Sequence, residues 1–247
     1  MIRDAYERAA KIIAARGQSP ESLTVAEEVE RLRLAWRPSC VRVVMLAESH
    51  VWTFERDTTS RVQQPDGTKT GFARFVYCLG YGEPSLVAPD ISPNSGTGQY
   101  WRLFHYAVRG PEVSSDEISG KAKPERILAK LRLLNELKLA GIWLVDASVT
   151  ALYKPGGERL LSSRSDYKEV LRACWEAHVA NVVAGCSPSA VLIVGKGVNK
   201  ALGELVAKAV PQAKICVVMQ PNAHMTPEVR SNERRAVFDF CSRHRSN

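Results

Sequence analysis

Four short apolar runs constrain this chain more than anything else in it. They cover residues 41–47, 142–145 with a short extension, 190–194 and 213–219, each rich in Val, Ile or Leu and apolar on successive positions. Strands covered on both faces read this way. Helical patterns separate the later runs. Residues 166–184 carry Val170, Leu171, Cys174, Val179, Val182 and Val183, and residues 197–209 carry Val198, Leu202, Leu205 and Val206. Strand alternating with helix predicts an α/β fold, a four-stranded, mostly parallel sheet flanked by helices. Two amphipathic helices are expected before it, over 2–16 and 21–36, the second ended by Arg37-Pro38-Ser39. Residues 52–98 break the rhythm with a hairpin-turn candidate, Pro65-Asp66-Gly67, and a loop rich in Gly, Pro, Ser and Asn. The 247 residues suit one domain over 1–247, with an N-terminal helical segment at 1–38 and an insertion at 52–98 near the site.

The charge narrows the partner. Thirty-four Lys and Arg against 26 Asp and Glu give a formal +8, with a pI near 9.3. That excess favours a polyanion, of which nucleic acid is the commonest. No apolar run approaches the roughly 20 residues of a membrane span, and the start of the chain shows no secretory signal, so a cytoplasmic protein is expected. None of the six cysteines forms a C-x-x-C pair, which leaves zinc-ribbon and redox readings without support. They read as small buried hydrophobes, and no metal or other cofactor is expected.

In an open α/β sheet, ligands bind beyond the carboxyl ends of the strands. Ala47-Glu48-Ser49-His50-Val51-Trp52 follows the first run, bringing a carboxylate, a hydroxyl and an imidazole together. Asp146 follows the second, in Asp146-Ala147-Ser148-Val149-Thr150, either as a working carboxylate or as a helix cap. Gly195-Lys196-Gly197-Val198-Asn199-Lys200 follows the third and turns into a helix whose start suits a phosphate, without the spacing of a P-loop. Gln220-Pro221-Asn222-Ala223-His224-Met225-Thr226-Pro227 follows the fourth, a polar loop stiffened by two prolines.

In this order the loops resemble the uracil-DNA glycosylase superfamily, over roughly residues 40–240. Gly141-Ile142-Trp143-Leu144-Val145-Asp146-Ala147-Ser148-Val149-Thr150 is similar to the family segment that carries the base-reading Asn, with Asp146 on the Asn. Asn94-Ser95-Gly96-Thr97-Gly98-Gln99-Tyr100-Trp101-Arg102-Leu103-Phe104 resembles the Asn…Phe-Trp helix start of the mismatch-specific branch. Gln220-Pro221-Asn222-Ala223-His224 resembles the His-Pro-Ser-Pro-Leu loop that pinches the DNA backbone and enters the duplex. The first motif departs from the family. It has neither the usual Gly nor the Pro, and Ser49 stands where the water-activating Asp or its Asn alternative is expected.

The resemblance implies a three-layer glycosylase fold, DNA as partner, no membrane and no obligate protein partner. It implies a monofunctional DNA glycosylase that flips a base into a pocket and hydrolyses its glycosidic bond without metal. Glu48, or else His50, would position water or stabilise the sugar cation, with Ser49 beside them. Gln220 would donate to a pyrimidine O2. Tyr100, Trp101 or Trp52 would stack on the base. Asn222, His224 and Met225 would meet the duplex, and Lys154, Lys196 and Lys200 the phosphates. An Asp at 146 accepts from an exocyclic amine, where an Asn matches uracil; protonated, it would also donate to the ring nitrogen. Val51, near the family's pocket-closing Tyr, leaves room at the pyrimidine 5-position. Both point to a modified cytosine, such as the glucosylated hydroxymethylcytosine of phage DNA, and so to the prokaryotic antiviral members. The competing readings are a repair glycosylase for uracil or another deaminated base, a non-catalytic DNA-binding module of the same fold, and an unrelated hydrolase using Ser49 and His50.

Overall fold

A computed structural model describes residues 2–63, 69–88, 91, 95–119, 124–154, 157–221 and 223–245. Two helices, α1 (Ile2–Ala14) and α2 (Leu23–Ala35), precede the first strand, β1 (Val43–Ala47). A short helix α3 (Glu55–Thr58) and an antiparallel pair, β2 (Arg61–Gln63) and β3 (Lys69–Gly71), follow it. Then come α4 (Gly98–Arg109), α5 (Pro124–Leu139), β4 (Ile142–Asp146), α6 (Arg164–Cys174), α7 (Ala180–Ala184), β5 (Ala190–Val194), α8 (Lys196–Ala209), β6 (Lys214–Val218) and α9 (Pro227–His244). The expected hairpin forms as β2 and β3, while its turn, Pro65-Asp66-Gly67, lies outside the described residues.

The large sheet has the order β4-β1-β5-β6, and all of its pairs are parallel. The chain leaves β1 toward β4 but leaves β5 toward β6. Right-handed crossovers in opposite directions put their helices on opposite faces. Accordingly α4 packs with α5 and α9, and α6 packs with α1 and α8, giving three layers. The switch point falls between β1 and β5, where a doubly wound sheet opens its crevice.

The continuous apolar runs have the expected cause in three strands. Every residue of β1, β4 and β5 is buried. The fourth differs: β6 is an edge strand with Ile215 and Val217 exposed at 37% and 39%. Its apolar sequence therefore does not reflect burial on both faces. At the opposite edge the 52–98 segment closes the sheet. Its residues 72–79 are buried, and the Tyr77 hydroxyl accepts a 2.8 Å hydrogen bond from Leu144 N–H, a group on the outer edge of β4. The region expected over 166–184 is helical but interrupted. A π-helical turn, Trp175–Val179, separates α6 from α7. All six thiols are free, and Cys40 is exposed rather than buried. No helix among the described residues is long and apolar enough to cross a membrane.

Candidate active site

The loops after β1 and β4 are tied to each other, which brings their polar residues to one place. Strand pairing continues beyond the strands: Ala147 N–H donates to Ala47 O at 2.8 Å, Ser148 N–H to Glu48 O at 3.0 Å, and Trp52 N–H to Tyr153 O at 3.0 Å. Beyond this seam lies a cavity of about 400 Å³. Its floor is Glu48, Ser49, His50, Val51, Leu144 and Asp146. Tyr100, Tyr153, Lys154 and Gln220 wall it, and Arg74, Phe75, Val76, Tyr81 and Ser95–Thr97 of the 52–98 segment contribute the remainder with Gln99 and Gly157. Eight of the residues singled out by sequence thus meet in one cavity. Gln220 is seated by a backbone requirement. Gly195 has φ +115°, and a Cβ there would come within 2.9 Å of Gln220 Cγ.

The other sequence candidates lie elsewhere. Trp101 is a core residue, 2% exposed, edge-on to Phe104 and beneath the Lys130 ammonium at 4.9 Å, so it cannot stack on a bound base. Trp52 is half-buried in the loop seam and does not line the cavity. Lys196 and Lys200 line a neighbouring groove of about 320 Å³, which also takes in Arg159, Arg164, Lys168 and Tyr167 and has Glu48 and Gln220 at its base. His224 and Met225 line a third, larger groove on another side of the 219–226 loop. Asn222 and Asn94 lie outside the described residues.

Glu48 is 4% exposed, and the groups that hydrogen-bond it are neutral donors. The Tyr153 hydroxyl lies 3.1 Å from both of its oxygens, Gln220 Nε2 donates to Oε2, and the Tyr167 hydroxyl is a further hydrogen-bond partner. Burial, then the nearby Glu48 charge, pushes the Tyr153 phenol up to about 12 and the Tyr167 phenol up as well. Both stay protonated and can only donate to an anion. Tyr100 is likewise pushed up, by burial and then by Asp146 and Glu48.

Asp146 has the opposite surroundings. Its Oδ2 lies 3.2 Å from Arg33 Nη2 and 3.6 Å from His50 Nδ1. Arg33 also pairs with Glu30, whose other oxygen meets His178 Nε2 at 3.2 Å. On its far side His50 Nε2 bonds Glu21 Oε1. Burial would lower the imidazole, but Glu21 and Asp146 outweigh it and hold it up to about 9. The two flanking carboxylates thus favour the protonated ring, which has no lone pair to take a proton from water. Asp146, which contacts two cations, is bound as an acceptor; the reading of it as a proton donor to the base finds no support in this geometry.

Ser49 is bound to the backbone. Its Oγ donates to His50 O at 3.1 Å and accepts from Leu152 N–H at 3.2 Å, while both nitrogens of the His50 ring face carboxylates. The geometry of a Ser–His nucleophile pair is absent here.

Sequence reasoning missed Glu21, Arg33, Phe75, Tyr153 and Tyr167. An apolar patch running through Gly71-Phe72-Ala73-Arg74-Phe75 and the Tyr seven places past Asp146 were visible signals. Nothing marked Glu21, a carboxylate at a helix start, as a buried partner. Among the described residues no three His, Cys, Asp or Glu side chains converge as a metal set. No family model matches the chain, and a search of curated proteins gives no significant match.

Proposed function

We propose that the protein is a monofunctional DNA glycosylase acting on a flipped, modified cytosine-type base, such as glucosylated hydroxymethylcytosine of phage DNA, and that it leaves an abasic site in an antiviral role. One observation carries the reading. Two buried carboxylates in contrasting surroundings share a cavity at the sheet's carboxyl end, and that cavity adjoins a groove with five basic side chains, Arg159, Arg164, Lys168, Lys196 and Lys200. A base in the cavity with its backbone in the groove fits a nucleotide turned out of a duplex. A volume of about 400 Å³ belongs to the class of pockets that holds drug-sized ligands, larger than a single ring.

Each residue then has a task. Asp146 accepts from the exocyclic amine, and Phe75 or Tyr100 offers an aromatic surface to the ring. Glu48, where cavity and groove meet, faces the sugar. As the glycosidic bond lengthens, its electron pair goes to the base and positive charge builds on the sugar, which the Glu48 carboxylate stabilises. Water adds to the anomeric carbon and yields its proton to Glu48, leaving abasic deoxyribose and the base as its anion; that proton then passes through solvent to the base, which restores the Glu48 carboxylate. Tyr153, Tyr167 and Gln220 fix the carboxylate's orientation without neutralising it.

The test is a panel of duplex and single-stranded oligonucleotides, each carrying one base: cytosine, 5-hydroxymethylcytosine, its glucosylated forms, uracil or hypoxanthine. Abasic sites are read by alkaline cleavage. Excision confined to substituted cytosines supports the proposal. Excision confined to uracil or hypoxanthine favours a repair enzyme. Binding of DNA with no excision of any base favours a non-catalytic module.

A further inference from the structure

We infer that Glu21 is a positioning residue for base release: it holds His50 as a cation against Asp146, so that the base-reading carboxylate does not repel the charge that leaves with the base. The inference rests on the glycosylase reading. Hydrolysis of the bond leaves its electron pair on the departing base. A pocket that reads an amine with a carboxylate sets a like charge against that pair, which slows the step it should assist.

The structure holds the means of offsetting it. Asp146 Oδ2 faces two cations, Arg33 at 3.2 Å and His50 Nδ1 at 3.6 Å. Arg33 divides its guanidinium between Asp146 and Glu30, which also meets His178 at 3.2 Å. His50 is the second cation on Asp146, and its proton sets how much of that carboxylate's charge is offset. His50 Nδ1 is buried, and Asp146 Oδ2, 3.6 Å away, is the acceptor it faces. Its Nε2 rests on Glu21, whose side chain is fully buried and is itself anchored by Ala151 N–H at 2.8 Å and Thr53 N–H at 3.3 Å. Those anchors come from the loops after β4 and β1, while Glu21 comes from the link between α1 and α2. The N-terminal segment thus supplies Arg33 from α2 and Glu21 from the link before it to hold residues of the cavity from behind.

The other ionisable groups near His50 do not replace Glu21. Arg74, of the segment after β3, is engaged with Asp57 at 2.9 Å, and Lys154, after β4, lies 3.9 Å from Glu158. Glu48 is hydrogen-bonded by neutral donors at the base of the basic groove, and burial favours the protonated forms of Tyr81, Tyr100 and Tyr153. The Phe75 ring lies edge-on to His50 at 6.3 Å, and the His50 side chain is fully buried. If the His50 proton is lost, the pocket wall becomes one unit more negative where the base departs.

The experiment measures single-turnover excision of the preferred base from pH 6 to 10.5 with the full chain and with Glu21→Gln, alongside a histidine NMR titration of both. Five histidines make the assignment tractable. The wild-type rate should be level through neutral pH and fall about tenfold per pH unit above the His50 transition. Glu21→Gln should move that limb toward the ordinary histidine range, slowing excision at pH 8 by about tenfold and recovering most of the rate at pH 6, with DNA binding at pH 8 unchanged. Recovery at low pH separates a charge effect from mere loosening of the fold. His50→Gln should remove the limb and leave a uniformly slow rate. A wild-type His50 that is neutral at pH 7, or a Glu21→Gln profile parallel to the wild-type one, overturns the inference while leaving the glycosylase reading intact. Failure of the wild type to excise any base overturns both.

Discussion

Glu48 and Asp146 are the same functional group at the ends of adjacent strands, and the protein surrounds them in opposite ways. The pairing of Ala47 with Asp146 across β1 and β4 puts Glu48 one residue beyond that register. Exposures of 4% and 2% remove both from bulk water. Glu48 is met by two phenols and an amide, Asp146 by a guanidinium and an imidazolium. Neutral donors leave a carboxylate's charge in place, whereas cations offset it. Two carboxyl groups in contrasting environments are the usual basis for dividing two roles in one site. On the proposed function, the division gives charge stabilisation to Glu48 and recognition to Asp146.

The sharpest way to break this comparison is to remove the charge of Glu48 without its shape. Glu48→Gln should cut single-turnover excision by about 10²–10³, the usual cost of losing a preorganised electrostatic contact. DNA affinity should stay within a few-fold, since the groove cations remain. A variant that retains the wild-type rate would show that the two carboxylates do not divide the work in this way.

The bracket around Asp146 makes a separate prediction about stability. The folded protein holds the His50 imidazolium up to about 9 against an ordinary 6.5. A raised histidine stabilises the fold fully below its unfolded value and loses that contribution as pH rises through the folded one. The window is therefore pH 6.5 to about 9, and on the order of 3 kcal/mol is tied to it. Tm should fall by about 6–12 °C between pH 6.5 and 9.5, and His50→Gln should flatten that fall. Glu30 works on the acid side. Burial raises it, but Arg33 and His178 lower it further, so its contribution is lost as pH falls below the usual carboxylate range.

The difference between the two surroundings also explains what could be read from the sequence. Neighbours of Glu48 come from the strand-end loops after β4 and β6 and from α6, regions where a parallel sheet must place its ligand, so Gln220 was identifiable and Tyr153 lay close to the quoted motif. Of the partners of Asp146, His50 lies in the motif after β1, but Arg33 comes from α2, 113 residues away, and Glu21, which holds His50, comes from the turn before that helix. Period and composition describe α2 as an amphipathic helix and nothing more; its buried Glu30 and Arg33 look like surface charges until the fold pairs them. Trp101 shows the converse error. Its place beside Tyr100 at a helix start was read correctly, but successive helical residues face different ways, and Trp101 is the one that points into the core. The parallel sheet was legible because burial on both faces leaves no polar alternation. The exposed edge of β6 was not, because an apolar edge strand reads the same.

Asp146→Asn probes the recognition half. Replacing one acceptor with a donor should cost about 1–3 kcal/mol toward an amine-bearing base and favour a keto base by a comparable amount. The substitution also leaves Arg33 and His50 facing an amide, so Tm should drop. The ranking of bases is therefore the informative readout, measured as single-turnover rates on matched cytosine-type and uracil-type substrates at saturating enzyme. If the ranking stays the same in a folded variant, Asp146 is only a structural partner of its two cations.

The smallest effect is expected at Ser49, the residue that a comparison based on motif position alone would have ranked beside Glu48. Its hydroxyl bridges the loops after β1 and β4 through His50 O and Leu152 N–H and has no contact that would draw off its proton. Ser49→Ala removes two partly buried hydrogen bonds of about 0.5–1.5 kcal/mol each, so Tm should fall by a few degrees. Excision should stay within about threefold, because neither carboxylate loses a partner, whereas removing a true nucleophile commonly costs about 10⁶ in rate. Single-turnover kinetics and a melting curve on the same preparation separate the two cases. A fall beyond about a thousandfold with an intact melt would place Ser49 in the chemistry and revive the Ser–His hydrolase. A small kinetic effect with a lowered Tm would confine Ser49 to holding the seam on which both carboxylates are mounted.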